Sequence, residues 1–321
     1  MFLWSKMSNT AEIDADVTEE NKHVCANCGI AGVDNNESEE CTACQICSLQ
    51  RQMSLLDHRE QHEEECKNQA AELHDKTLFT QPSETHLGER PLCFLPMPLD
   101  PPKSIFWSCC SETICKGCLY AHVVSSKYDM AKARSCPFCR EPADDDENNK
   151  RMMVRIKAND PAALSQMGWG CYKEGDYDAA FEYATKAAEL GDSEAHYLLG
   201  VIYHKGEGVE KNDEKKVYHF EKAAIGGHPE ARHNLALFEG RNGKTERSVK
   251  HFIIGAKLGY EISMKELWNH YSHGHISKED LDATLRSHHA AVDAMKSAHR
   301  DAAERVDSLH TPSFPSLELA T

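Results

Sequence analysis

Apolar positions fall into two regimes along the chain. From Asn159 onward they recur every three to four residues, the mark of helices that bury one face. This pattern itself repeats: Ala188, Ala224 and Ala256 are spaced by 36 and 32 residues, as are Gly191, Gly227 and Gly259, and Ala163, Ala195 and Ala231 by 32 and 36. The units read DPAALSQMGWGCYKEGDYDAAFEYATKAAELG, SEAHYLLGVIYHKGEGVEKNDEKKVYHFEKAAIGG and PEARHNLALFEGRNGKTERSVKHFIIGAKLG, with a weaker fourth, YEISMKELWNHYSHGHISKEDLDATLR. Each predicts two amphipathic helices, with small residues where they cross and glycine at the turn. One such pair cannot bury its apolar face alone, so three or more are expected to stack into a right-handed solenoid over 159–290. The alanine-rich stretch 291–309 is expected to be a helix capping the last repeat, and 310–321 a loose tail.

Before Asn159 the pattern is sparser. Residues 1–22 are polar and acidic without periodicity and are expected to be disordered. SLQRQMSLLDHREQHEEECKNQAAEL reads as helix, running into a helical linker over 68–89 broken by Pro82 and Gly88. Residues 142–158 open on a run of acids and are expected to be an acidic linker. The expected class is mainly α, with small zinc-stabilised α+β fingers followed by an α/α helical-repeat solenoid.

Composition narrows the function classes. At 321 residues with 40% hydrophobic residues the chain can hold two or three domains and at least one sizeable core. The net charge of −16 is concentrated early, and residues 1–80 carry 16 acids against 6 bases, which argues against nucleic acid as a partner. The opening MFLWSKMS lacks the apolar core of a signal peptide and no apolar run is long enough to span a bilayer, so an intracellular protein, cytoplasmic or nuclear, is expected. P-loop, GxSxG, HExxH and strand-anchored GxGxxG patterns are absent from the sequence.

Cysteine carries the candidate chemistry. Of 14 cysteines, seven lie within Cys93–Cys139: Cys93, the adjacent Cys109 and Cys110, and the knuckles Cys115/Cys118 and Cys136/Cys139. Two CxxC knuckles about 18 residues apart match a structural zinc site, because the short turn aims two thiolates at one tetrahedral centre. An earlier cluster holds Cys25, Cys28, Cys41, Cys44 and Cys47, followed by His58, His62 and Cys66 at helical spacing of four. Cys41, Cys44, His62 and Cys66 make a candidate Cys3His site. His270, His273 and His275 read as solvated residues at a helix end, and Cys171 as a buried repeat residue.

Residues 23–67 resemble a MYND-type zinc finger, a module that binds short peptides in partner proteins. That resemblance implies one site from Cys41, Cys44, His62 and Cys66 and another anchored by Cys25 and Cys28, whose remaining ligand positions hold Gln50 and Ser54, with Cys47 as a substitute donor. Residues 90–141 resemble a RING-type finger. The cross-braced order then implies one site from Cys93, Cys115 and Cys118, with Arg90 at the expected fourth position and water, His86 or His122 as alternative donors. The other site would use Cys109, Cys110, Cys136 and Cys139, with Glu112 where the family has histidine. Leu92, Pro137 and Arg140 stand where such fingers contact a ubiquitin-conjugating enzyme. The motif LGVIYHKGEGVEKNDEKKVYHFEKAAIGGHPEA resembles a Sel-1-like repeat, a relative of the tetratricopeptide repeat used as an adaptor scaffold.

The expected function is a zinc-binding protein-interaction adaptor holding two or three zinc ions, with other proteins or peptides as partners and no catalytic residues of its own. The alternative is a RING-type ubiquitin ligase that recruits substrate through its repeats.

Overall fold

The computed structural model describes residues 58–88, 92–127 and 129–309, with side chains omitted at 58–66, 145 and 309. The chain divides into two compact units, 1–77 and 78–321. The described part of the first is the body of helix α1 (His58–Leu78), whose sequence HREQHEEECKNQAAELHDKTL is strongly polar.

The second unit begins with a small module. A 3-10 turn (Pro101–Lys103) leads into β1 (Ser104–Trp107), which pairs antiparallel with β2 (Glu112–Cys115) in the register Ser104↔Cys115 to Trp107↔Glu112. Helix α2 (Lys116–Ser125) and the single turn α3 (Met130–Ala133) come next. With so little apolar surface in two short strands and one helix, such a module needs a staple to hold.

Helix α4 (Asp145–Lys157) occupies the stretch expected to be an acidic linker. Asp144 caps it by accepting from the Glu147 amide at 3.0 Å, and the acids that suggested a linker sit in its first turn, where the helix dipole favours them. The helix is also tied back to the module, since Ser108 donates to the Asn148 carbonyl at 3.0 Å and Arg155 donates to the Cys109 carbonyl at 2.9 Å.

The solenoid comprises the pairs α5 (Pro161–Glu174) with α6 (Tyr177–Glu189), α7 (Ser193–Lys205) with α8 (Asp213–Ile225), α9 (Pro229–Arg241) with α10 (Thr245–Lys257), and α11 (Glu261–Ser272) with α12 (Lys278–Ala294). The first five of these helices start the same way: Asp160, Asp176, Asp192, Asn212 and His228 each accept a hydrogen bond from an amide of the first turn. The periodic alanines 163, 195 and 231 are completely buried, as are 224 and 256. The periodic glycines 191, 227 and 259 have φ of 84°, 85° and 92°, a left-handed turn that closes each unit. Gly227 is doubly constrained, because a β-carbon there would lie 2.6 Å from the Glu84 carbonyl oxygen. Three apolar clusters form the core: Leu164 through Ile202, including Cys171; Leu78 with Phe220, Ala223, Ala224, Ala231 and Leu235; and Ala236 through Leu281.

The C-terminal helix departs from the expected cap. The stretch 291–309 contains the end of α12, a turn, and α13 (Ala298–Leu309), which packs on α2 of the small module. Gly117 permits the contact: a β-carbon there would sit 2.6 Å from Arg300 Cγ and 2.9 Å from its backbone nitrogen. Lys116 pairs with Asp307 at 2.5 Å and Lys103 with Glu304 at 2.7 Å. Among the described residues no helix is long and apolar enough to cross a membrane.

Candidate metal centres and repeat surface

The entry segment with Cys93, the β1–β2 hairpin, α2 and the loop after α3 bring seven cysteines into two groups. Cys109 and Cys110 lie in the hairpin turn, and Cys136 and Cys139 in the loop closed by the Ser135↔Pro142 bridge. Sulfur separations are 3.3 Å for Cys109–Cys139, 3.8 Å for Cys110–Cys136 and 4.0 Å for Cys109–Cys110. A tetrahedron with metal–sulfur bonds of ~2.3 Å has edges of about 3.8 Å, so the four sulfurs fit one zinc-sized ion. Three non-glycine residues with left-handed backbone directly follow cysteines: Phe94 (φ 53°), Ser111 (φ 57°) and Arg140 (φ 66°). Such residues persist where the surroundings over-determine the turn. Here the Arg140 amide donates to the Cys136 carbonyl at 2.9 Å and the Cys136 amide to the Glu141 carbonyl at 2.8 Å.

Without an ion, the crowding disfavours the thiolate at Cys109 and Cys110. Burial, reinforced by the neighbouring sulfurs, pushes the Cys109 thiol far up and the Cys110 thiol up to about 12. A divalent cation removes this penalty by exchanging for the protons.

The second group is Cys93, Cys115 and Cys118, at the module's entry, the end of β2 and the first turn of α2. The two histidines considered as a fourth donor are engaged elsewhere. His122 Nε2 lies 2.8 Å from the Lys132 carbonyl and 3.3 Å from Ser135 Oγ. His86 lies 2.9 Å from Glu194. The group that does approach is Arg300 of α13, with Nη2 3.5 Å from Cys93 Sγ. The hydrogen bond from Cys118 and then Arg300 hold the Cys115 thiol down at about 4.

Cys25, Cys28, Cys41, Cys44 and Cys47 lie outside the described residues, as do Gln50, Ser54 and Arg90; His62 and Cys66 fall on α1, their side chains undescribed. Leu92 is exposed, Pro137 half-buried and Arg140 exposed. Phe94 and Phe138, which no spacing in the sequence singles out, are 73% and 43% exposed beside the two cysteine groups.

A third convergence, His86, Glu194 and His228, was likewise not expected from the sequence. Both imidazoles approach Glu194 Oε2, His86 at 2.9 Å and His228 at 3.2 Å. The rings stack with centroids 4.1 Å apart and planes 12° apart. Parallel rings cannot both point an in-plane lone pair at one ion. His228 Nδ1 moreover accepts from the Ala231 amide at 3.3 Å, which places the proton of the neutral ring on Nε2. Burial pushes His228 down to about 4; burial would raise the Glu194 carboxyl, but the two imidazoles outweigh it and hold it well below the usual carboxylate range. This trio is a structural clamp rather than a metal centre. One sign was present in the sequence: His228 stands at the cap position that aspartate occupies at 160 and 192.

On the solenoid, a cleft of about 300 Å³ is lined by residues of α9, α10 and α11 and the turn that follows, among them Arg241, Thr245, Phe252, Glu266, His270 and His275. His270 and His275 face each other with Nδ1 atoms 3.1 Å apart, while His273 Nδ1 lies 2.8 Å from the Asn269 carbonyl.

The repeated helix pairs with left-handed glycine turns define a helical-repeat protein of the solenoid class. Residues 161–192, 193–228 and 229–260 match the model of the Sel1 repeat, so about a third of the chain consists of recognised Sel1 repeats. Proteins built from Sel1 repeats act as protein-interaction scaffolds. Two strains of Helicobacter pylori each have a relative that carries the name "Putative beta-lactamase HcpC". One is 43% identical over 56 residues, 17% of this chain and 19% of that protein; the other is 42% identical over 52 residues, 16% and 18%. The chain thus spans about a fifth of the length of these relatives. Among solved structures, a Sel1 repeat protein from Oxalobacter formigenes matches with a TM-score of 0.41 at 22% identity, covering 60% of this chain and 85% of that one. A protective antigen of uropathogenic Escherichia coli with an SLR fold matches with a TM-score of 0.37 at 17% identity, covering 62% and 41%.

Proposed function

We propose that the protein is a zinc-dependent interaction scaffold in which a RING-like two-zinc module is mounted on a Sel1-repeat solenoid. The observation that carries this reading is the convergence of the Cys109, Cys110, Cys136 and Cys139 sulfurs, all within 4.8 Å of one another and with three contacts at 3.3, 3.8 and 4.0 Å, which suits a tetrahedral thiolate site. Zinc here is structural, and each complete site contributes on the order of ~10 kcal/mol to folding of its module. The finger expected over 23–67, with Cys41, Cys44, His62 and Cys66 as ligands, would add a further ion. The cleft between α9, α10 and α11 offers an apolar floor at Phe252 beside the charges of Arg241 and Glu266, a combination that suits a peptide from a partner protein.

Native mass spectrometry of the full chain tests the reading. Cys136→Ser should lose one zinc and Cys115→Ser a different one. Equal metal counts in wild type and Cys136→Ser would refute it. Chelation should render residues 92–140 protease-sensitive while the repeats stay resistant.

The exposure of Leu92 and Arg140, with Pro137 half-buried, favours a second reading, a ubiquitin ligase that docks a conjugating enzyme. Such a module works by positioning alone, so discharge of ubiquitin from a loaded conjugating enzyme should accelerate with the intact protein and not with Pro137→Ala. No acceleration across a panel of conjugating enzymes leaves the scaffold reading in force.

A further inference from the structure

Arg300 sits where a buried cation calls for an explanation. It is 7% exposed, and among the described residues no carboxylate pairs with it. Its Nη1 donates to the carbonyls of Pro96, at 2.9 Å, and Met295, its Nη2 approaches Cys93 Sγ at 3.5 Å, and its buried Nε has no partner. A guanidinium stays charged in proteins, and burying it without a counter-anion costs several kcal/mol. Backbone carbonyls solvate the cation but do not neutralise it. The sulfur within reach is that of Cys93; Cys115 and Cys118 complete the cluster.

The charge arithmetic of a metal site points the same way. Three thiolates around a divalent zinc carry a net charge of −1, and a single guanidinium in the outer shell restores neutrality. Hydrogen bonds from such a group onto a ligand sulfur also orient it and withdraw charge from it, and outer-shell partners of this kind typically change metal affinity by about 10- to 100-fold. Spacing along the chain directs the search for the missing element of this centre to local donors. The structure supplies a cation instead, from a helix 182 residues beyond Cys118 along the chain.

We propose that Arg300 is the outer-shell counter-charge of the Cys93, Cys115 and Cys118 zinc centre, so that docking of the C-terminal helix and retention of this ion form one linked equilibrium. This rests on the zinc reading above. Docked α13 tightens binding of the ion, and by reciprocity the bound ion holds α13 down. The Lys116–Asp307 and Lys103–Glu304 pairs on the same helix are too exposed to carry that coupling and serve as controls.

The experiment follows zinc transfer from the full chain to a chromogenic chelator, with native mass spectrometry counting the ions. Arg300→Gln should lose the ion that Cys115→Ser loses, or release it at least about 10-fold faster. The double variant Cys115→Ser/Arg300→Gln should lose no further zinc. Arg300→Lys, which keeps the charge, should be intermediate, and Glu304→Gln should match wild type. Chelation should also expose α13 to trypsin at Arg305. If Cys115→Ser leaves the zinc count unchanged, the zinc reading of this centre fails. If Cys115→Ser loses an ion that Arg300→Gln retains at the wild-type rate, the zinc reading stands and the role of Arg300 is overturned. Release from Arg300→Lys as fast as from Arg300→Gln likewise overturns the counter-charge role.

Discussion

Gly200 is the position where the solenoid leaves least room for change. It lies inside α7, and a β-carbon built there would stand 2.4 Å from both Cδ1 and Cε1 of Phe220, against an ordinary contact of 3.4 to 4 Å. The Phe220 ring is 3% exposed and backed by Ala223, Ala224 and Ala231, all fully buried, so it cannot retreat by the ångström required without moving α8. A contact this short places the cost in the upper part of the overpacking range, about 2–3 kcal/mol, and the better helix propensity of alanine returns about 0.8–1. The expected net loss for Gly200→Ala is about 1–2 kcal/mol, which lowers the melting midpoint of a unit this size by about 3–6 °C. Gly170 provides the opposite case. It lies inside α5, a β-carbon added there would meet nothing within 4 Å, and Gly170→Ala should stabilise by about 0.5–1 kcal/mol. Thermal and urea melts followed by circular dichroism at 222 nm read both variants. Combining Gly200→Ala with Phe220→Leu should cost less than the sum of the two single changes, because the smaller side chain vacates the contested space. A Gly200→Ala midpoint equal to or above wild type would refute the packing argument.

Two further perturbations address buried charge. His251 is fully buried between Phe79 and Arg232, with both ring nitrogens unpartnered, and burial, aided by Arg232 and Arg247, pushes it down to about 3. It is therefore neutral in the fold but protonates near 6.5 when unfolded, so stability falls as pH drops through 6.5 towards 3, by about 2 kcal/mol at pH 5. His251→Phe should flatten the decline in urea midpoint between pH 7 and pH 5; an unchanged slope would contradict the assignment. Arg232, also fully buried, donates through Nη1 to the Leu78 carbonyl and through Nη2 to the Thr80 carbonyl. Arg232→Met should cost about 2–4 kcal/mol by removing the donor to the buried Leu78 carbonyl and should speed hydrogen exchange in residues 78–88 first; uniform acceleration across the solenoid would argue against a local role.

What the sequence made legible was whatever repeats or is local. The alanines at 163, 195 and 231 and the glycines at 191, 227 and 259 recur because each unit meets the same steric demand at a crossing or a turn, and the structure places them there. The grouping of the seven cysteines follows an alternation along the chain, since the hairpin turn with Cys109 and Cys110 stands between Cys93 and the Cys115/Cys118 knuckle, and Cys136/Cys139 come last. Helix α4 was readable in principle: Asp144 with Glu147 three residues on is a helix-start signal that the density of acids obscured. Contacts between segments far apart in the chain left no such trace. Arg300 looks like any surface arginine in AHRDAAER, and nothing in the composition of α13 distinguishes a helix that caps the last repeat from one that packs on α2. His86 and Glu194 are 108 residues apart, and the sequence shows their pairing only as an exception to the aspartate caps.

The packing of α13 on α2 has a consequence for how this solenoid could evolve. An open-ended array gains or loses units with little effect on the remainder, because each contacts only its neighbours. Here the last helix must reach back to a fixed address, Gly117 and Lys116, from the far end of four helix pairs. Inserting or deleting one pair would displace the start of α13 by a full repeat, and the turn between Ala294 and Ala298 is too short to absorb it. This attachment therefore acts as a ruler that sets the number of repeats, and an array of a different length would have to surrender the docking of its own terminus.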